Sequence, residues 1–302
     1  FGWFEMKKEI KKTSKVIKKK ITTKEMLGTG TENTWCPSCP NFLILEAFKQ
    51  TIAKFIDSKK YVHEDFAMTA DIGCHGKIFD YVNMSGFYTL HGRTLPVAMG
   101  MKLGNPHLKV IAFGGDGAIY SEGISHFIHT FKYNPDMTLL VHDNQSFSLT
   151  TGQPTPTSQK GYVAKSEPLG KTDMPFNPLF LAFASGATFI ARTNARDLKH
   201  MIATFTKAIN HRGFSYVEIM QDCIVFNLEI NRKDEIMYKV SDNKDPVKAL
   251  EMIREWDYNS KQGKIALGVL YKIKAPTEED KWPQLQDLMK RDVSWQHKGH
   301  GK

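Results

Sequence analysis

Four stretches of this sequence read as buried strands, and each runs out at a residue with chemistry to offer. Phe66 to Ile72 leads to Gly73-Cys74, and Leu108 to Gly114 leads to Gly115-Asp116. Met137 to His142 ends at Asp143-Asn144, and Phe214 to Met220 delivers Cys223. The segments between them carry helical periodicity: 42–58, the small-residue run 93–104, Ser121 to Phe131, and Asp197 to Asn210. The run 179–190 reads as a helix followed by a strand. Strands alternating with helices predict a doubly wound, mostly parallel α/β sheet. In such sheets ligands sit beyond the carboxyl ends of the strands, so Cys74, Asp116, Asn144 and Cys223 should meet along one edge. From about 236 the pattern changes to a helix over 246–256, a strand over 265–272, a capped helix after Thr277 and a polar tail. The expected division is a basic arm (1–24), a binding domain (25–235) and a small C-terminal α/β extension (236–302).

The chain has 302 residues and a formal net charge of +9, ample length for a sizeable core in one large or two small domains. Composition is that of a soluble globular protein. Much of the charge is local: Lys7, Lys8, Lys11, Lys12, Lys15, Lys18, Lys19 and Lys20 face only Glu9. This arm reads as solvated and partly helical. No aromatic-basic interleaving follows it, which argues against nucleic acid, whereas an acidic protein partner would be attracted. The chain opens Phe-Gly-Trp-Phe, and Met6 is its first candidate start. No apolar run reaches the ~20 residues of a membrane span, and no signal h-region is visible, so a cytoplasmic protein is expected.

Four cysteines occur in all: Cys36 and Cys39 in a Cys-x-x-Cys pair, then Cys74 and Cys223 singly. In a chain that looks cytosolic they favour metal or catalysis over disulfides. Four thiolates suit zinc or an iron–sulfur cluster. Zinc sites usually come as two tight pairs, and here only one pair is tight, which leans toward a cluster. Cys is also a common small buried residue, and that alternative stays open.

Gly114-Gly115-Asp116-Gly117 follows a buried strand. Glycines let backbone N–H groups approach phosphate oxygens, and a following helix offers a positive N-terminus. Asp116 can face a phosphate only across a cation, and Mg²⁺ would bridge the two. Asn144, 28 residues later, can add a neutral oxygen, as can the carbonyl of Ser146. A lone Gly-Asp-Gly is usually an ordinary turn. Its pairing with Asn144 at the next strand end favours the functional reading.

At these residues the chain resembles a known family. Gly-Asp-Gly followed by Asn at this distance looks like the thiamine diphosphate motif. With Cys36-x-x-Cys39, Ile72-Gly73-Cys74, His91-Gly92-Arg93, Thr151-Gly152-Gln153 and Cys223 it resembles the β subunit of 2-oxoacid:ferredoxin oxidoreductases, over roughly residues 28–275. The resemblance implies a sheet of the thiamine diphosphate-binding type. It implies a [4Fe-4S] cluster on Cys36, Cys39, Cys74 and Cys223. It implies Mg²⁺ on Asp116, Asn144 and Ser146, with Gly73, Gly115 and Gly117 along the cofactor. His91 would stand near the cofactor, and Lys77 and Leu149 would face substrate. The implied reaction is CoA-dependent oxidative decarboxylation of a 2-oxoacid, pyruvate or 2-oxoglutarate, with electrons passed to ferredoxin. The implied partner is an α subunit that binds the other half of the cofactor, with γ or δ subunits open.

The chain also departs from the family pattern. Ser38 and Pro40 stand where Gly is common, His75 where Ser is common, and Ala118 where an acidic residue is frequent. Ser148-Leu149-Thr150-Thr151 replaces a more Gly-rich run. Two other classes compete. One is a non-redox thiamine diphosphate-dependent decarboxylase or synthase with structural cysteines. The other is a zinc-binding interaction protein.

Overall fold

A computed structural model describes residues 21–228, 230–231, 233–258 and 263–290. The lysine-rich arm over 7–20 and the tail beyond 290 lie outside the described residues.

The structure contains one sheet of eight strands: β1 (Phe66–Ala70), β2 (Ser85–Tyr88), β3 (Lys109–Gly115), β4 (Met137–Asp143), β5 (Phe189–Asn194), β6 (Ser215–Met220), β7 (Met237–Lys239) and β8 (Ile265–Lys272). Their order is β2-β1-β3-β4-β6-β5-β8-β7. The first six pair in parallel, β8 runs antiparallel to β5, and β7 runs parallel to β8. The segment beyond 236 therefore widens the same sheet. β1, β3, β4, β5 and β6 are buried throughout. Such strands are apolar on both faces because helices cover both.

Successive strand residues point to opposite faces, and the two cores divide on that period. One holds Met68, Ile111, Leu140 and Val217 beneath Ile44, Phe48 and Ile52 of α2 (Asn41–Asp57) and Met201 and Phe205 of α7 (Leu198–Asn210). The other holds Val110, Leu139, Val141 and Tyr216 beneath α4 (Thr94–Gly104), α5 (Ile124–Tyr133), α6 (Pro178–Ala184) and α8 (Pro246–Glu255). The short helices α1 (Thr23–Met26) and α3 (Ile78–Tyr81) complete the N-terminal half. The helix starts carry legible signals. Asp197 accepts from His200 N at α7, and Asn177 and Asp245 cap α6 and α8 just ahead of a proline.

One boundary differs from the periodicity. The helix expected from Ser121 begins at Ile124, because a π-helical turn over Ala118–Glu122 precedes it. Such turns often occur at functional sites.

Candidate active site

β1, β3, β4 and β6 are neighbours in the sheet, so the residues just beyond their carboxyl ends become neighbours in space. A cleft over that edge is lined by Gly73, Cys74 and His75 after β1 and by Gly115, Asp116 and Gly117 at the end of β3. Asn144, Ser146 and Leu149 follow β4, Gln221 follows β6, and His91 comes from the loop after β2. Of the four strand-end residues expected to meet, Cys74, Asp116 and Asn144 line this cleft, and Cys223 does not.

Asp116 is buried, and its Oδ2 accepts from Thr157 Oγ1 at 3.0 Å. The same hydroxyl lies 3.2 Å from Oδ1 of fully buried Asp143. Burial pushes Asp116 up to about 6 and holds Asp143 well above the usual carboxylate range. Two carboxyls sharing one hydroxyl in a dry site are short of positive charge. Asp116, Asn144 and Ser146 all line the cleft, and a carboxylate, an amide oxygen and a backbone carbonyl are a donor set that suits a hard cation. The loop after β4 is shaped for this: Ser146 N–H donates to Asn144 Oδ1 at 3.0 Å, and Asn144 Nδ2 donates to Ser148 Oγ at 3.1 Å.

All four cysteines line a second cavity of about 200 Å³, with Trp35, Lys77, Val225 and Phe226. Cys36 and Cys39 are joined by a turn, Cys39 N–H to Cys36 O at 3.0 Å. Ser38 within it has φ 65°, the left-handed conformation glycine adopts most readily. Trp35 donates its indole N–H to Cys74 O at 2.6 Å, fastening this knuckle to the loop after β1. Phe226 N–H donates to Cys223 Sγ at 3.3 Å. Burial pushes the Cys39 thiol up to about 11, and burial reinforced by Cys223 does the same for Cys74. Thiolates here would need the charge of a metal centre to persist. Among the described residues no three Cys, His, Asp or Glu side chains are placed to close on a single ion.

Cys74, Asn144, Ser148, Leu149 and Gln221 line both cavities, so the two share a wall. Asn227 braces that wall by donating to the carbonyls of Asn144 and Gln145 at 3.0 and 3.1 Å.

Known proteins share this architecture. A model of the thiamine pyrophosphate enzyme C-terminal TPP-binding domain matches residues 71–219. A 2-oxoacid:ferredoxin oxidoreductase subunit beta from Saccharolobus solfataricus is 41% identical over 231 residues, 74% of this chain and 74% of that protein. This chain belongs to the family of 2-oxoacid:ferredoxin oxidoreductase β subunits. A 2-oxoglutarate synthase subunit KorB from Archaeoglobus fulgidus is 36% identical over 199 residues, 66% of this chain and 71% of that one. The 2-oxoglutarate:ferredoxin oxidoreductase from Magnetococcus marinus, solved with 2-oxoglutarate, coenzyme A and succinyl-CoA bound, superposes with a TM-score of 0.80 at 29% identity. The match covers 93% of this chain and 94% of that one. Among the described residues no helix is long and apolar enough to cross a membrane.

Within this β subunit the expected site residues divide between the two cavities. His91, Gly73, Gly115, Asp116, Gly117 and Ser146 line the first, Lys77 the second, and Asn144 and Leu149 both. Lys77 Nζ donates to Thr34 O at 3.3 Å and Thr34 Oγ1 at 3.1 Å. Sequence reasoning missed the partners that set these side chains. Glu122, on the π-helical turn, lies 2.9 Å from His91 Nδ1. Asp71 lies 2.5 Å from His75 Nε2. Tyr258 Oη contacts both Asp143 and Glu218, and Glu218 in turn holds Arg192 at 2.5 Å. The His91–Glu122 and Tyr258 pairings join residues from separate elements, while Asp71 and His75 share the loop after β1. Only the His75 position, unusual for the family pattern, gave a local signal.

Proposed function

We propose that this chain is the β subunit of an oxidoreductase that converts a 2-oxoacid, pyruvate or 2-oxoglutarate, and coenzyme A to an acyl-CoA and CO₂. The observation that carries the reading is the wall of Cys74, Asn144, Ser148, Leu149 and Gln221 common to the cation-suited cleft and the thiol-lined cavity.

Asp116, Asn144 and the Ser146 carbonyl would hold Mg²⁺ against the diphosphate of thiamine diphosphate, with Gly73, Gly115 and Gly117 letting that end approach the backbone. Cys36, Cys39, Cys74 and Cys223 would hold a [4Fe-4S] cluster. Four thiols around a cavity, not a point, support a polynuclear centre over zinc. When bound, thiamine diphosphate supplies the carbanion and electron sink for decarboxylation, and the cluster a one-electron acceptor leading to ferredoxin.

The chain's own residues prepare the site. Glu122 on Nδ1 orients His91 and leaves Nε2 toward the cleft, where it can hold or release a proton. Leu149 and Phe147 give the cleft an apolar lining. The Phe226 N–H on Cys223 and the apolar side chains of Val225 and Phe226 limit solvent at the thiols, a means of tuning a cluster. Lys77 offers a cation for a carboxylate at the shared wall.

The cleft encloses about 70 Å³, well under the ~300 Å³ of a site for a whole ligand of this size. That supports completion of the cofactor site by an α subunit.

The test is anaerobic purification of the chain with its α subunit, followed by iron, sulfide, zinc and thiamine diphosphate analysis with a visible spectrum. About four irons and four sulfides per chain, one thiamine diphosphate, and a brown absorbance bleached by 2-oxoacid plus CoA are expected. A colourless zinc protein would overturn the redox reading.

A further inference from the structure

The departure at His75 places a buried carboxylate–imidazole pair in the floor of the cofactor cleft. Asp71, just beyond β1, is wholly buried. Its Oδ1 lies 2.5 Å from His75 Nε2, while its Oδ2 has no hydrogen-bond partner. The carboxylate is thus committed to the imidazole and fixes its orientation, as an outer carboxylate does for many functional histidines.

The opposite edge of the ring, Nδ1–Cε1, lies between two glycines that line the cleft. A Cβ at Gly73 would stand 2.4 Å from His75 Cε1, and one at Gly115 would stand 2.6 Å from His75 Nδ1. Any side chain at either position would collide with the imidazole. These two glycines therefore leave room for the ring as well as for a ligand's approach. His75 itself lines the cleft, beside Gly115, Asp116 and Gly117.

Among the described residues no Lys or Arg lines this cleft, and each of its other histidines has one ring nitrogen paired elsewhere. His91 is held by Glu122. His142 Nδ1 donates to Asn41 Oδ1 at 2.9 Å, and burial holds it well below the ordinary histidine range, so it is neutral.

We infer that His75, braced by Asp71, is a binding residue for the diphosphate of the cofactor, donating from Nδ1 to a phosphate oxygen. The inference rests on the reading of this cleft as the thiamine diphosphate site and adds a contact to it. Asp71 holds the ring at one nitrogen, and a hydrogen bond from the other to an anionic phosphate oxygen is charge-assisted.

The experiment is equilibrium dialysis of thiamine diphosphate into the apo form of the αβ complex at saturating Mg²⁺. Inorganic diphosphate serves as competitor, and the wild type is compared with His75→Ala, His75→Gln and Asp71→Asn. A charge-assisted hydrogen bond predicts a Kd raised roughly tenfold to a hundredfold in His75→Ala. Inorganic diphosphate should lose affinity by a similar factor, because the contact belongs to that part of the ligand. His75→Gln, which keeps one donor, should recover part of the loss, and Asp71→Asn should fall between the two. Iron content and melting temperature, measured on the same samples, separate this from general damage. Should His75→Ala not assemble, the glutamine and asparagine variants carry the comparison. Equal Kd values in the wild type and the His75 and Asp71 variants would overturn the inference and leave the cofactor reading standing. A wild-type complex that takes up no thiamine diphosphate would overturn both.

Discussion

Ser38 and Trp35 show how single residues set the thiol knuckle. Ser38 holds φ at 65°, a conformation that costs an L-residue roughly 1–2 kcal/mol. Glycine avoids that cost but loses more entropy on folding, about 0.5–1 kcal/mol. Ser38→Gly should therefore leave the apo protein's stability unchanged or raise it by up to about 1 kcal/mol, read by urea denaturation. A clear loss would mean that the serine side chain contributes something the geometry does not account for. Trp35 makes the other contribution: its indole N–H reaches Cys74 O, and its ring packs edge-on against Tyr81 at 4.8 Å. Trp35→Phe keeps the packing and removes the hydrogen bond, worth about 0.5–1.5 kcal/mol. The knuckle should then detach more readily from the loop carrying Cys74. For the proposed cluster, the check is the rate at which a chelator strips iron from the anaerobic protein, expected to rise several-fold. An unchanged rate would show that the indole is packing alone.

Among the elements, the central strands were legible because they are buried on both faces and read as unbroken apolar runs, Val110 to Phe113 being one. β2 was not, because Ser85–Tyr88 is a largely exposed edge strand, and neither was β7, with only three residues. The cysteines and the Gly-Asp-Gly run that line the two cavities stand out in the sequence by their spacing. Asp71, Glu122 and Tyr258 could not, since each acts through a partner distant in sequence or hidden by the fold. Tyr258 illustrates this. It follows α8, outside the matched domain of 71–219, yet its hydroxyl contacts Asp143 beside the cleft and Glu218 beneath it. Tyr258→Phe would leave two buried carboxyls short of a partner and should destabilise the protein by about 1–3 kcal/mol, measured by chemical denaturation. At the end of α7, His211 stacks on Phe189 at 5.2 Å and bonds to Thr188. Burial, with the nearby charge of Lys272, pulls it from 6.5 down to about 4. The unfolded chain therefore binds a proton between these values that the folded chain refuses. This contribution is whole above pH 6.5 and is lost progressively as the pH falls toward 4. Relative to His211→Gln, the wild type should lose about 2 kcal/mol between pH 7 and pH 5. Parallel stability curves for the two proteins would refute this.

At the scale of the whole molecule, exposed apolar side chains stand in the segment that leads to His91 of the cleft. Phe87, Tyr88 and Leu90 are 58%, 45% and 76% exposed, and they immediately precede His91 in the chain. Large apolar side chains grouped beside a functional cleft mark a surface that another protein covers. The small enclosed volume of the cleft argues the same way, because half a cofactor site has no reason to enclose the whole cofactor. The two observations make a joint prediction about the proposed α subunit. Leu90→Asp should leave the isolated chain folded, since the side chain packs on little of its own protein, and should weaken association with the α subunit. A charge buried without a partner at a docking surface costs enough to shift assembly by at least tenfold. Co-purification and sedimentation of the mixed subunits read the association. CoA-dependent reduction of an electron acceptor reads the consequence, which should fall in step with the loss of complex and recover as the α subunit is raised. Full assembly of Leu90→Asp at wild-type concentrations would place the partner elsewhere. Turnover by the β chain alone would show that its cleft is already complete.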